Sequence, residues 1–168
     1  MSSVKFSNRV VGDFILYEAI GEIGDTHALR FPVEILPGEE PYIPVILSGK
    51  WTFGPFPDDV TIEMLPGHTG HLNPKPAGSR VITCVEPGKY ICCHPVARGN
   101  KFGHRRIVLA QNEETTIRQG ATLVVATGDF NLNAGVTKNS PLIANVQSGD
   151  AVLKAISAQV IAVELWKL

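Results

Sequence analysis

DAVLKAISAQVIAVELWKL, residues 150–168, decides whether this chain is all-β or ends in a helix. The stretch contains neither glycine nor proline, and Ser148 stands where a helix N-cap would. Against a helix, Val152, Ile156, Val160, Ile161 and Val163 are β-branched and give up rotamer freedom in that conformation. The apolar residues also cover every face of a helical wheel instead of one stripe. Two strands, 151–157 and 159–166, suit these residues better, with the helix as the competitor.

The same grammar runs through the rest of the chain. Its 16 glycines and 12 prolines are scattered, not gathered into a linker, and such punctuation marks many short strands. Further strands are expected near 10–19, 28–35, 42–47, 59–64, 80–86, 89–94, 105–111, 114–118, 121–127, 129–133 and 141–146. Turns fall at 86–88, 111–114 and 147–150. The expected fold is a single-domain, all-β, jelly-roll-like sandwich or barrel of roughly 10–13 short strands. Residues 1–58 read as an N-terminal arm or outer-sheet segment of that domain. GDFILYEA at 12–19 and GDFNLNAG at 128–135 both look like a tight turn entering a strand, an echo too short to establish a repeat.

At 168 residues one domain can bury about two-thirds of its unfolded surface. The formal charge of -1 leaves no basic excess, which argues against a dedicated nucleic-acid binder. Lys5, Arg9 and Asp13 interrupt the N-terminal apolar residues, so no signal peptide is expected. No run approaches the roughly 20 apolar residues of a spanning helix. A cytoplasmic protein or an assembled particle, without membrane partners, is the expectation. The 3 cysteines, Cys84, Cys92 and Cys93, are odd in number and partly adjacent, which suits buried small hydrophobes better than disulfides.

Charge is sparse as well as balanced. Charged residues make up 18% of the chain, against about 25% in typical soluble domains. From Gln119 to Val163 the charges are Asp129, Lys138, Asp150 and Lys154 alone. In 121–127, Ala121, Leu123 and Val125 share one face, while Thr122, Val124 and Ala126 share the other. In 159–166, Ile161, Val163 and Leu165 face away from Val160, Ala162 and Trp166. Both faces want cover, yet a sandwich covers only the inner faces of its sheets. Either the N-terminal segments or a second copy must cover the outer one, and a homo-oligomer is expected.

Candidate chemistry is thin. GHTGHLNPKPAG, residues 67–78, places His68 and His71 on a Gly- and Pro-rich loop. With His94 and His104 they could hold a divalent transition metal; the alternative is an exposed polar turn. ARGNKFGHRR, residues 97–106, gathers Arg98, Lys101, Arg105 and Arg106 around Phe102 and His104. That set suits an anionic ligand or glycan, with Phe102 as an apolar platform; the alternative is a solvated loop. No G-x-S-x-G elbow is present, and Cys93 and His94 would point to opposite faces of a strand, so no catalytic residue is assigned. Trp51 and Trp166 either flank a sugar or fill a core or interface.

The short strands, the mid-chain histidines and GATLVVATGDFNLNAG, residues 120–135, together resemble the cupin family, small β-barrels of jelly-roll type. The resemblance spans roughly the last two-thirds of the chain and is architectural. Gly120 and Gly128 match glycines of the second cupin motif, but Phe130 and Leu132 occupy the neighbourhood of its histidine. The H-x-H of the first motif is here H-x-x-H, with no glutamate at the required distance. The resemblance therefore implies the fold without the usual metal set or its enzymology. The expected function is a non-enzymatic β-sandwich assembly or binding protein, a virion-type component or a glycan- or receptor-binding module, acting as a homo-oligomer without a cofactor. The alternative is a cupin-like, metal-dependent enzyme or small-molecule binder using the histidines.

Overall fold

A computed structural model describes residues 4–30, 43–54, 62–68, 79–97, 102–147 and 149–168. Among the described residues the chain forms sixteen strands and no helix, and the strands are arranged in four four-stranded sheets. Among the described residues no helix is long and apolar enough to cross a membrane. The chain divides into two compact units, Met1–Arg9 with Leu16–His94 and Val10–Ile15 with Pro95–Leu168.

The first unit is built on β1 (Lys5–Val11), β2 (Phe14–Gly21), β3 (Thr26–Arg30), β4 (Ile43–Ile46), β5 (Lys50–Gly54), β6 (Ile62–Met64), β7 (Ser79–Glu86) and β8 (Gly88–Pro95). Their sheets run β1-β2-β8-β4 and β3-β7-β5-β6. Side chains from both meet in one core, including Ala19, Ile46, Trp51, Phe53, Ile82, Tyr90 and Cys92. Alternation in β5 explains its place: Trp51 and Phe53 are buried while Lys50 and Thr52 are half-buried. The sequence does not announce that strand, since Gly49 precedes it and Gly54 is its last residue.

The second unit is built on β9 (Phe102–Ala110), β10 (Glu114–Ile117), β11 (Thr122–Thr127), β12 (Asp129–Leu132), β13 (Lys138–Asn139), β14 (Leu142–Asn145), β15 (Ala151–Ala155) and β16 (Gln159–Lys167). Its sheets run β14-β11-β16-β9 and β10-β15-β12-β13. The contested C-terminal stretch is thus two strands, β15 and β16, and the helix reading falls. Both sheets contribute to one core, with Leu123, Val125, Phe130, Leu153 and Val160 at 0% exposure. The jelly-roll-like, all-β expectation holds. The strand total exceeds it because β5 and the two-residue β13 were not anticipated, and because 10–19 is a hairpin.

That hairpin turns at Gly12–Asp13, with Gly12 at a φ of 61°, where a Cβ is costly. Its tip, Val10–Ile15, belongs to the second unit and lies on the outer face of that unit's β9-containing sheet. The Thr122 hydroxyl donates to the Val11 carbonyl at 2.9 Å, and Phe14 meets Phe102 edge-on at 5.4 Å between centroids. Gly12 sits so close to Asn145 that any Cβ would strike its side-chain amide. Within the single chain Thr122, Val124, Val163 and Leu165 are all buried. Charge-poor β11 and β16 are therefore covered on both faces, as their composition demanded, and they need no second copy for it. The echo at 12–19 and 128–135 has a structural counterpart: Gly12 and Gly128 both take positive φ, and Phe14 and Phe130 are both fully buried.

Candidate binding site

β9 and β16 pair antiparallel, which sets Arg105 opposite Glu164 and Gly103 opposite Trp166. Alternation then puts Arg105, Ile107 and Leu109 on the inward face, together with Val160, Ala162, Glu164 and Trp166. Glu164 is a carboxylate at 0% exposure, and burial of an unmatched charge is prohibitive. Here it is matched. Arg105 Nε donates to Oε1 at 3.1 Å, while the backbone N–H of Arg118 donates to Oε2 at 2.8 Å. The Arg118 side chain approaches the same oxygen, Nε to Oε2 at 3.7 Å.

Arg105 is held at its other end too. Its terminal nitrogens donate to the Thr115 hydroxyl at 3.3 Å and the Thr116 carbonyl at 2.9 Å, tying β9 to β10. Arg118 follows β10 and lays its guanidinium over the Trp166 ring, 3.6 Å from the centroid, a cation–π stack. Gly103 also closes on the indole, where any Cβ would run into the ring. The Gly103 backbone and the Arg118 guanidinium thus both pack against the Trp166 indole at the edge of the unit's core.

The residues singled out from sequence are placed differently. Phe102 is 2% exposed against Phe14 and offers no open platform. Arg106 pairs with Val163 and points to the face opposite Arg105, so neighbours along the strand do not converge. Arg98 and Lys101 lie outside the described residues. His68 closes a turn after β6, its Nδ1 accepting from the Leu65 N–H at 3.0 Å. That bond leaves only Nε2 for any ligand. His104 sits in the second unit on the Arg106 face of β9, with its ring 6.4 Å from that of Phe102. His71 lies outside the described residues, and of His94 only its place in β8 is described. Among the described residues no group of three or more His, Cys, Asp or Glu side chains could hold a metal ion.

Glu164, Arg118 and the stacked role of Trp166 escaped the sequence reading. One signal was present: the charge-poor run ends at a glutamate placed inside AVELW, between residues that want burial. A charge there must find an opposite charge.

The cysteines are core residues, as expected. All are free and buried; burial pushes the Cys92 thiol up to about 12 and raises Cys93 as well. Cys84 is raised by burial and, secondarily, by Asp25. A thiol whose folded value lies above its unfolded one stabilises fully below the unfolded value, and that contribution is lost as pH climbs toward the folded value. Stability is therefore expected to fall as pH rises above the ordinary thiol range toward the raised value of Cys92. Urea melts at stepped pH check this, and Cys92→Ala should flatten the slope by one thiol's share.

No protein-family model matches the chain, and no curated protein matches it in sequence. Solved structures do match in shape. HutD from Pseudomonas fluorescens SBW25 superposes with a TM-score of 0.59 at 13% identity, covering 93% of this chain and 80% of that one. A cupin 2 conserved barrel domain protein from Leptotrichia buccalis gives 0.56 at 8% identity, with 99% and 89% covered. The pirin YhhW from Escherichia coli, in complex with nickel(II), gives 0.57 at 11% identity, with 99% and 84% covered. At such identities the likeness is one of fold.

Proposed function

The chain has the cupin-type fold, and from that premise we propose that it is a non-catalytic binding or assembly module. One observation carries the reading: the inward side of the second unit is filled by its own side chains. Leu123, Val125, Phe130, Leu153 and Val160 are packed at 0% exposure, and the inward carboxylate Glu164 is already engaged by Arg105. A catalytic carboxylate needs open space beside it for a substrate. Here the adjoining positions hold aliphatic groups and guanidinium. Use as a virion-type component, or as a glycan- or receptor-binding module, belongs to this reading. Assembly between copies would draw on surfaces other than the uncharged face of β11 and β16, which the chain covers itself.

Elemental analysis of freshly purified protein tests the reading, combined with sedimentation of the same sample. Zinc, iron, manganese and nickel are each expected far below one ion per chain, and His68→Asn with His104→Asn should change neither content nor mass. A stoichiometric transition metal that these substitutions remove would overturn the proposal in favour of a metal-dependent enzyme.

A further inference from the structure

We propose that Arg118, stacked on Trp166 at the end of the second unit's core, anchors a site for an oxyanion, a carboxylate or phosphate borne by a small ligand or glycan. This deepens the binding-module reading and rests on it. The first argument is charge. Glu164 carries one negative charge and Arg105 pairs with it directly, so Arg118 is the surplus cation of the cluster. The second is hydrogen bonding. Arg105 has acceptors for Nε and both terminal nitrogens. Arg118 spends its backbone N–H and directs its Nε at Glu164, and its terminal nitrogens have no acceptor among the described residues. Its side chain is 47% exposed, so that fork faces solvent.

Arg118 is also preorganised. An ordinary surface arginine loses rotamer freedom on binding, which erodes its affinity. Arg118 has already been fixed, between the indole of Trp166 and the buried carboxylate. A planar two-pronged donor held in place is the geometry that takes carboxylate or phosphate through two parallel hydrogen bonds. Lysine could supply the charge there but neither the fork nor the flat stack. The Thr115 hydroxyl accepts from Arg105, which leaves its own proton to give.

Trp166 supplies the readout. Intrinsic fluorescence of the full chain is titrated at constant ionic strength with sodium phosphate, with sodium galacturonate and, as control, with sodium chloride. A saturable change with phosphate, with galacturonate or with both supports the site and identifies which group it takes; chloride should give none. Arg118→Gln should weaken binding at least about tenfold, as expected for losing a charged hydrogen-bonding partner. Arg118→Lys should be intermediate, keeping charge without fork. Each variant is first shown to melt cooperatively, and Arg106→Gln, on the opposite face of β9, should titrate like the parent. No saturation with either oxyanion, or equal binding by Arg118→Gln, overturns the site. A stoichiometric metal in the same sample would instead overturn the non-catalytic reading and leave the titration standing, so the two failures are distinct.

Discussion

Glu164→Ala is expected to destabilise the second unit by about 3 kcal/mol, toward the lower end of what removal of one partner from a buried ion pair costs. Two donors lose their acceptor at once, the Nε of Arg105 and the backbone N–H of Arg118. The stranded cation matters more than the lost attraction. Arg105 is 39% exposed on its side chain, so water relieves part of the penalty, which is why the upper end is not expected. A discriminating control follows from the same reasoning. Replacing both partners, Glu164→Leu with Arg105→Met, removes the stranded charge and should recover the part of the loss that it causes, leaving the cost of the unpaired Arg118 N–H. Urea denaturation reads both. Should the double variant be no better than the single one, the ion pair is not what makes Glu164 sensitive.

Trp51→Ala is the largest change expected in the first unit, at about 3–5 kcal/mol. The indole is at 0% exposure and meets Tyr90 edge-on at 4.8 Å between centroids. Gly21 lies beneath it, so close that a Cβ there would sit 2.5 Å from the ring. The indole N–H donates to the Ser48 carbonyl at 3.1 Å, but that carbonyl also receives the Lys89 N–H at 3.1 Å. Losing the indole therefore orphans nothing at Ser48, and the cost is mostly cavity. Trp51→Phe, which keeps an aromatic body, should cost well under half as much. Equal losses in the two variants would shift the account from volume to the hydrogen bond.

Much of the architecture was readable because it rests on local chemistry. The C-terminal stretch carries β-branched residues on every side, which suits a strand buried on both faces; β16 is such a strand, buried from Val160 to Leu165. The dearth of charge after Gln119 likewise announced that β11 would meet no water. What the run could not announce was the identity of its cover. Val10–Ile15 provides part of it, through the Thr122 hydroxyl 111 positions on and through Phe14 against Phe102, residues that look ordinary in sequence.

The turn at 12–13 is legible in GDFILYEA, but the strand that precedes it is not. The residues of β1 are exposed almost throughout, so no alternation separates β1 from β2 and only Gly12 marks the turn. The basic cluster at 97–106 was judged by proximity along the chain, whereas a strand sends Arg105 and Arg106 to opposite faces. Glu164, Arg105, Arg118 and Trp166 come together only through the register of β16 on β9 and the return of β10 beside them.

Composition and side-chain branching alone determined that this chain is made of short strands, that its later strands are buried on both sides, and that its thiols serve as core. These are properties each residue carries with it, because solvation and backbone preference act within a few positions. Which segment covers the uncharged face, which carboxylate is buried and which guanidinium is left over were decided by tertiary structure, since each depends on pairings between residues far apart in the chain.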